Sequence, residues 1–181
     1  INNIKDCNLI NRLNKVTNDI VLAAADYKQN AKAQLLYSIL PNNCKNNEIA
    51  LGEVTKEELK DVYSLHMVNK AKPARAIYDL LLSQPPLGKC PFCGFGQVST
   101  LDHYLPKSKY PQFSVLPFNL IPSCKDCNTG KSTAIATTAE AQCLHPYFDH
   151  QNFIEDQWLY AEVRETKPAT ICFYVKAPEQ W

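Results

Sequence analysis

Two Cys-x-x-Cys pairs, Cys90/Cys93 and Cys124/Cys127, supply four thiolates at the spacing of a closed tetrahedral zinc site. Four sulfur ligands fill the coordination sphere and leave no position for water, so a zinc ion here would be structural. Its expected task is to fix the loop at Cys90 against a helix start at Cys127, contributing on the order of 10 kcal/mol to folding. The insert between the pairs, and its exit, carry a different chemistry. Asp102 and His103 are adjacent at the end of a strand-like run, where successive side chains point to opposite sides. One can hold a metal while the other addresses a water. Asn119 precedes the second pair and Asn128 follows it directly. Carboxylate, imidazole and carboxamide are the groups needed to hold a hard cation and to take a proton from water.

The elements that must position these groups follow from local pattern. A strand is expected over residues 98–103 and a return strand over 118–122, with Pro106, Pro111 and Pro117 keeping the connection irregular. A helix is expected from Cys127 to about Gln142, although Thr133, Thr137 and Thr138 are poor helix formers. Residues 1–84 read as helical: apolar side chains recur at helical spacing up to Pro41, and Thr55 with Glu58 forms a capping box. After it Leu59, Val62, Leu65 and Met67 are expected to face inward, and after Pro73 so are Ile77, Leu80 and Leu81. Strands are expected over residues 157–165 and 170–175. The fold class is therefore α+β, in three regions: a helical stretch (1–84), a zinc-stapled core (85–150) and a strand-rich end (151–181).

Composition narrows the class further. A hydrophobic content of 45% is enough for a buried core without help from metal alone. The longest apolar runs, residues 20–25 and 80–82, are far too short to span a bilayer. No secretory leader is expected at the start; the chain opens at Ile1 rather than Met, and the native protein is expected to be longer. Of eight cysteines, Cys7, Cys44, Cys143 and Cys172 are isolated, which argues against a disulfide framework and for a reduced, cytoplasmic compartment. The net charge is only +1, but the lysines at 89, 107, 109, 125 and 131 face only Asp102 and Asp126 within residues 85–135. That local excess suits loose attraction to phosphate, with Lys107 and Lys131 as candidate contacts against the alternative of solvated surface lysines. His66 and Arg75 are read as core or surface residues. His145 and His150, in the run His145-Pro146-Tyr147-Phe148-Asp149-His150, are read as parts of a capped turn packed by Tyr147 and Phe148, against the alternative that the run returns a side chain towards the site.

The run Leu101-Asp102-His103-Tyr104-Leu105-Pro106-Lys107-Ser108, followed by Asn119 to Cys124 and Cys127-Asn128-Thr129-Gly130-Lys131, resembles an HNH endonuclease over roughly residues 88–142. The resemblance implies a ββα-metal core. It implies that His103 is the general base, that Asp102 and Asn128 hold one divalent cation, Mg²⁺ by preference, and that Asn119 holds the His103 loop in place. Asn128 stands where the family name expects a histidine, and a carboxamide oxygen suits a hard cation better than imidazole. The wider chain resembles compact bacterial HNH proteins that accompany an ATPase in anti-phage systems of the Septu type, including retron-linked versions. That implies DNA as substrate, an ATPase docked on the N-terminal helices and a bacterial cytoplasmic setting. Two other readings stay open: an RNA- or tRNA-cleaving nuclease, and a non-catalytic zinc module that scaffolds an ATPase partner.

Overall fold

The computed structural model describes residues 4–179. The stretch from Asp6 onward divides into α1 (Cys7–Lys15) and α2 (Thr17–Lys32), broken at Val16, with a short 3-10 turn over Leu36–Ser38. Asp6 caps α1 by accepting hydrogen bonds from the amides of Asn8 (2.8 Å) and Leu9 (3.2 Å). A small hairpin follows, β1 (Ile49–Leu51) against β2 (Val54–Thr55). Its turn needs Gly52, which has φ +54° and where a Cβ would stand 2.5 Å from Val16 Cγ1.

The capping box opens α3 (Lys56–Asp61): the Glu58 amide donates to Thr55 Oγ1, and the Glu58 carboxylate accepts from the Thr55 amide. Glu58 also takes a two-pronged contact from Arg12, which holds its carboxyl down to about 2 and ties α1 to α3. The chain continues as a π-helical turn over Val62–Met67. The wider turn resets the helix face, so Tyr63 and Met67 are buried and Leu65, expected inside, is exposed. In α4 (Arg75–Leu82) the expected inward residues Ile77 and Leu80 are likewise exposed. Tyr78 takes the buried position instead, against Tyr63 and beneath the Arg75 guanidinium, 4.4 Å from its ring centre.

Next come β3 (Thr100–His103) and β4 (Leu120–Ser123), antiparallel, with Asp102 opposite Ile121 and His103 opposite Leu120. An isolated two-stranded ribbon is marginal in water, so both faces must be covered. Leu101 and Leu120 pack on Tyr63, Met67 and Tyr78; Ile121 packs in a second cluster with Tyr27, Tyr104 and Phe113. Each fully buried aliphatic contributes about 1.5–3 kcal/mol. The hairpin leads into α5 (Lys125–Lys131), which is much shorter than the helix expected to reach Gln142. Ser132 turns to φ +52°, and the Ser/Thr-rich sequence beyond offers hydroxyls that compete for backbone groups. Gln142 instead anchors that segment, accepting from the Tyr37 amide (2.9 Å) and donating to the Gln34 carbonyl (3.2 Å).

The first compact unit runs to Phe148, and residues from Asp149 form a second. The second holds α6 (Asn152–Glu155) and an antiparallel hairpin, β5 (Leu159–Arg164) with β6 (Thr170–Val175), at the positions expected of its strands. The architecture is α+β, with three separate two-stranded sheets among the described residues. No helix among them is long and apolar enough to cross a membrane.

Candidate metal centre and adjoining cleft

Cys90, Cys93, Cys124 and Cys127 meet at one point, their sulfurs all within 4.8 Å of one another. The Cys93 and Cys124 sulfurs are 3.9 Å apart, far beyond a disulfide bond and close to the roughly 3.8 Å edge of a tetrahedron with zinc–sulfur bonds of about 2.3 Å. Local backbone builds the cage. The Gly94 amide donates to the Cys90 carbonyl, and the Gly96 amide donates to Cys93 Sγ (3.4 Å). The Cys127 amide donates to Cys124 Sγ (3.5 Å) at the start of α5. A Cβ on Gly96 would lie 2.9 Å from both Cβ and Sγ of Cys124, so no other residue fits there without displacing a ligand.

The amides of Phe95 and Gly96 draw the Cys93 thiol down to about 7, whereas burial and the neighbouring thiols push Cys127 up. Four sulfurs this close cannot all ionise without a divalent cation among them, and zinc fits the number, type and spacing of donors.

The cage ties the loop before β3 to the start of α5, and residues of both elements line a cleft of about 190 Å³. Asp102, His103, Lys107 and Asn128 all line it, as do Lys60 and Ser108. Asp102 is buried. Burial pushes its carboxyl up, against the opposing pull of Lys131, whose Nζ stands 3.0 Å from Oδ2. Lys131 also donates to the His103 carbonyl (2.6 Å), so this lysine is a counter-ion to Asp102. Asn128 Nδ2 donates to Thr100 Oγ1 (3.2 Å), which leaves the amide oxygen as the group able to serve a cation. Asp102 and Asn128 are thus a fitting oxygen pair for a hard divalent ion.

His103 Nε2 lies 2.9 Å from the Ser114 carbonyl, which can only accept, so Nε2 carries the proton and Nδ1 the lone pair. Burial pushes the imidazole down to about 4, which keeps it neutral at pH 7. Tyr63, from the π-helical turn, meets the ring edge-on at 4.5 Å. Ser114 is itself fixed by a hydrogen bond from its hydroxyl to the Leu59 carbonyl (2.6 Å).

Asn119 is fully buried and touches no part of the cleft. Its Oδ1 accepts from the Leu105 amide (2.7 Å) and the Tyr27 hydroxyl (3.1 Å), and its Nδ2 donates to the carbonyls of Leu105 and Phe113. It therefore braces the loop that follows His103. Behind it stands His145, also buried, with Nε2 3.1 Å from the Tyr27 hydroxyl and Nδ1 accepting from the Tyr147 amide. Its ring packs over Tyr104 and edge-on to Phe148. The capped turn expected of the His-Pro-Tyr-Phe run is present and, through Tyr27, also supports Asn119. His150 receives the Asn152 amide at the start of α6, and neither His66 nor Arg75 lines the cleft.

Sequence reasoning missed Lys60, Tyr63, Thr100 and Ser114. No local pattern marks the first two, which arrive from the N-terminal half. Thr100 could have been found as the residue two before Asp102, on the same strand face.

These features define an α+β protein with a four-cysteine zinc-type centre beside a polar cleft. The chain is similar to Protein ea31 of Escherichia phage lambda, with 43% identity over 136 residues. The match takes in 74% of this chain and 45% of the phage protein, so the chain spans less than half the length of that relative. No family profile matches the chain, and no solved structure does.

Proposed function

We propose that this protein is a metal-dependent endonuclease of the HNH type that hydrolyses phosphodiester bonds of DNA. The observation that carries the reading is the convergence of Asp102, His103 and Asn128 on one cleft, built by an antiparallel hairpin and the helix stapled to it. A divalent cation held by Asp102 and Asn128 would neutralise a non-bridging phosphate oxygen and stabilise the 3′ leaving oxygen. The chain's own groups do the rest. The Ser114 carbonyl fixes the His103 tautomer, and neutral His103 accepts the proton of the attacking water at Nδ1. Asn119 holds the loop that carries the imidazole's backbone, since it receives the Leu105 amide and donates to the Leu105 carbonyl. The four cysteines bind zinc for structure alone.

By the resemblance set out above, the same nuclease serves a bacterial anti-phage complex, with an ATPase docked on its N-terminal helices. Ser114 bonding to Leu59 would couple such docking to the position of His103.

The test is nicking of supercoiled plasmid by wild type and His103→Ala, with and without added Mg²⁺, run beside an RNA substrate. Mg²⁺-dependent nicking that falls on the order of 10²–10⁴-fold in His103→Ala is expected. Equal activity in the two proteins refutes the assignment of His103, and cleavage of RNA alone refutes DNA as substrate.

A further inference from the structure

Lys60 and Lys107 reach the same cleft from different parts of the chain, Lys60 from α3 and Lys107 from the loop after β3. The Lys107 ammonium is held in place: it donates to Ser64 Oγ (3.0 Å) and sits 4.5 Å from the centre of the Tyr63 ring. Lys60 is oriented by a hydrogen bond to Asn46 Oδ1 (3.0 Å). Among the described residues neither ammonium has a carboxylate within 4.0 Å; the nearest acidic influence on Lys107 is the longer-range field of Asp61. Lys131, by contrast, is neutralised by Asp102. Beside the two lysines the Ser108 hydroxyl is buried with no hydrogen-bond partner. Unmatched cationic groups next to an orphaned hydroxyl donor make a site that lacks only its anion.

We propose that Lys60, Lys107 and Ser108 form a second anion subsite, which takes a backbone phosphate neighbouring the one at Asp102 and Asn128. This rests on the nucleic-acid reading above and extends it. The preferred ligand is a strand with phosphates on both sides of the scissile bond, and the N-terminal half contributes directly to holding it. Burial and the adjacent Lys60 charge lower the Lys107 ammonium, and the charge of an entering phosphate opposes both effects by favouring the charged form.

The test is fluorescence anisotropy of a labelled oligonucleotide on the zinc-loaded full chain, titrated over a range of NaCl without added Mg²⁺. Lys60→Gln is expected to reduce the slope of log K against log salt by about one and to weaken binding roughly tenfold at 0.1 M salt. Lys60→Arg should restore both, Ser108→Ala should weaken binding without changing the slope, and Lys28→Gln, on α2 and outside the cleft lining, should leave both unchanged. A wild-type slope in Lys60→Gln overturns the subsite. An equal loss in Lys28→Gln does the same, by exposing a general charge effect. Full displacement of the oligonucleotide by an equal concentration of inorganic phosphate would also overturn it, by identifying a free-phosphate pocket. Because binding is read without hydrolysis, a subsite that fails here leaves the plasmid-nicking result standing, and the converse holds.

Discussion

Replacing Lys131 by methionine isolates the charge that faces Asp102. The lysine side chain is 15% exposed and the carboxylate 4%, so methionine keeps most of the covered stem while removing the ammonium. At 3.0 Å and an effective dielectric of about 20, the gross attraction is about 5–6 kcal/mol, and desolvation of both groups offsets part of it. Removing one partner leaves a buried carboxylate without its counter-ion, a loss of about 3–5 kcal/mol. The lost hydrogen bond to the His103 carbonyl adds about 1 kcal/mol. Urea unfolding of the zinc-loaded protein at pH 7, without other divalent ions, should therefore show Lys131→Met less stable by at least about 3 kcal/mol.

Adding Mn²⁺ reverses the order of benefit. A cation at Asp102 stabilises the folded state by about 2.7 kcal/mol at a hundred times its dissociation constant. On the cation-binding reading proposed above, it should bind more tightly in the variant, where no ammonium competes for Oδ2. A variant within 1 kcal/mol of wild type, or equal stabilisation of both proteins by Mn²⁺, would refute the assignment of Lys131 as the counter-ion of Asp102.

Three further outcomes are expected. Cys124→Ser, or prolonged chelation of the wild type, should unfold the hairpin and α5 together, read by loss of near-ultraviolet circular dichroism; a folded, zinc-free variant would refute a structural metal. Asn119→Ala strands the Leu105 amide and two carbonyls inside the protein and should lower stability by about 3 kcal/mol or more, measured in urea. His145 is faced by Tyr27, Tyr104 and Tyr147 and feels Lys131, and burial holds it down to about 4. Its neutral form is thus favoured by folding: the contribution, up to about 3 kcal/mol, is complete above the unfolded value near 6.5 and lost as pH falls from there towards 4. His145→Gln should flatten that part of the stability profile.

What could be read in the chain was local. The cysteine spacing encodes a shared centre because each pair is a single turn of backbone, and Thr55 with Glu58 encodes a helix start for the same reason. The Asp102–His103 strand end and the return strand were legible because Pro106, Pro111 and Pro117 mark the irregular connection between them. The failures were tertiary. Leu65 and Ile77 fit an ideal helical period, but a π-helical turn and the bulk of Tyr63 and Tyr78 reset which face is buried. The segment beyond α5 is held through Gln142 by Gln34 and Tyr37, a contact that no window of sequence contains. The same holds for Lys60 and for the Tyr27–His145 pair behind Asn119.

The seating of His103 bears on how far the zinc-stapled hairpin can be moved as a unit. Its imidazole is aimed by the Ser114 carbonyl, Ser114 is anchored to Leu59, and Tyr63 closes the other side of the ring. A graft of residues 88–131 onto another scaffold would carry the cysteine cage, Asp102 and Asn128, yet leave Ser114 unanchored and the ring without its wall. On the nuclease reading proposed above, such a chimera should bind zinc and remain a poor catalyst until Leu59 and Tyr63 travel with it. The smallest portable piece of this protein is therefore not its motif but the motif together with the turn of helix behind it.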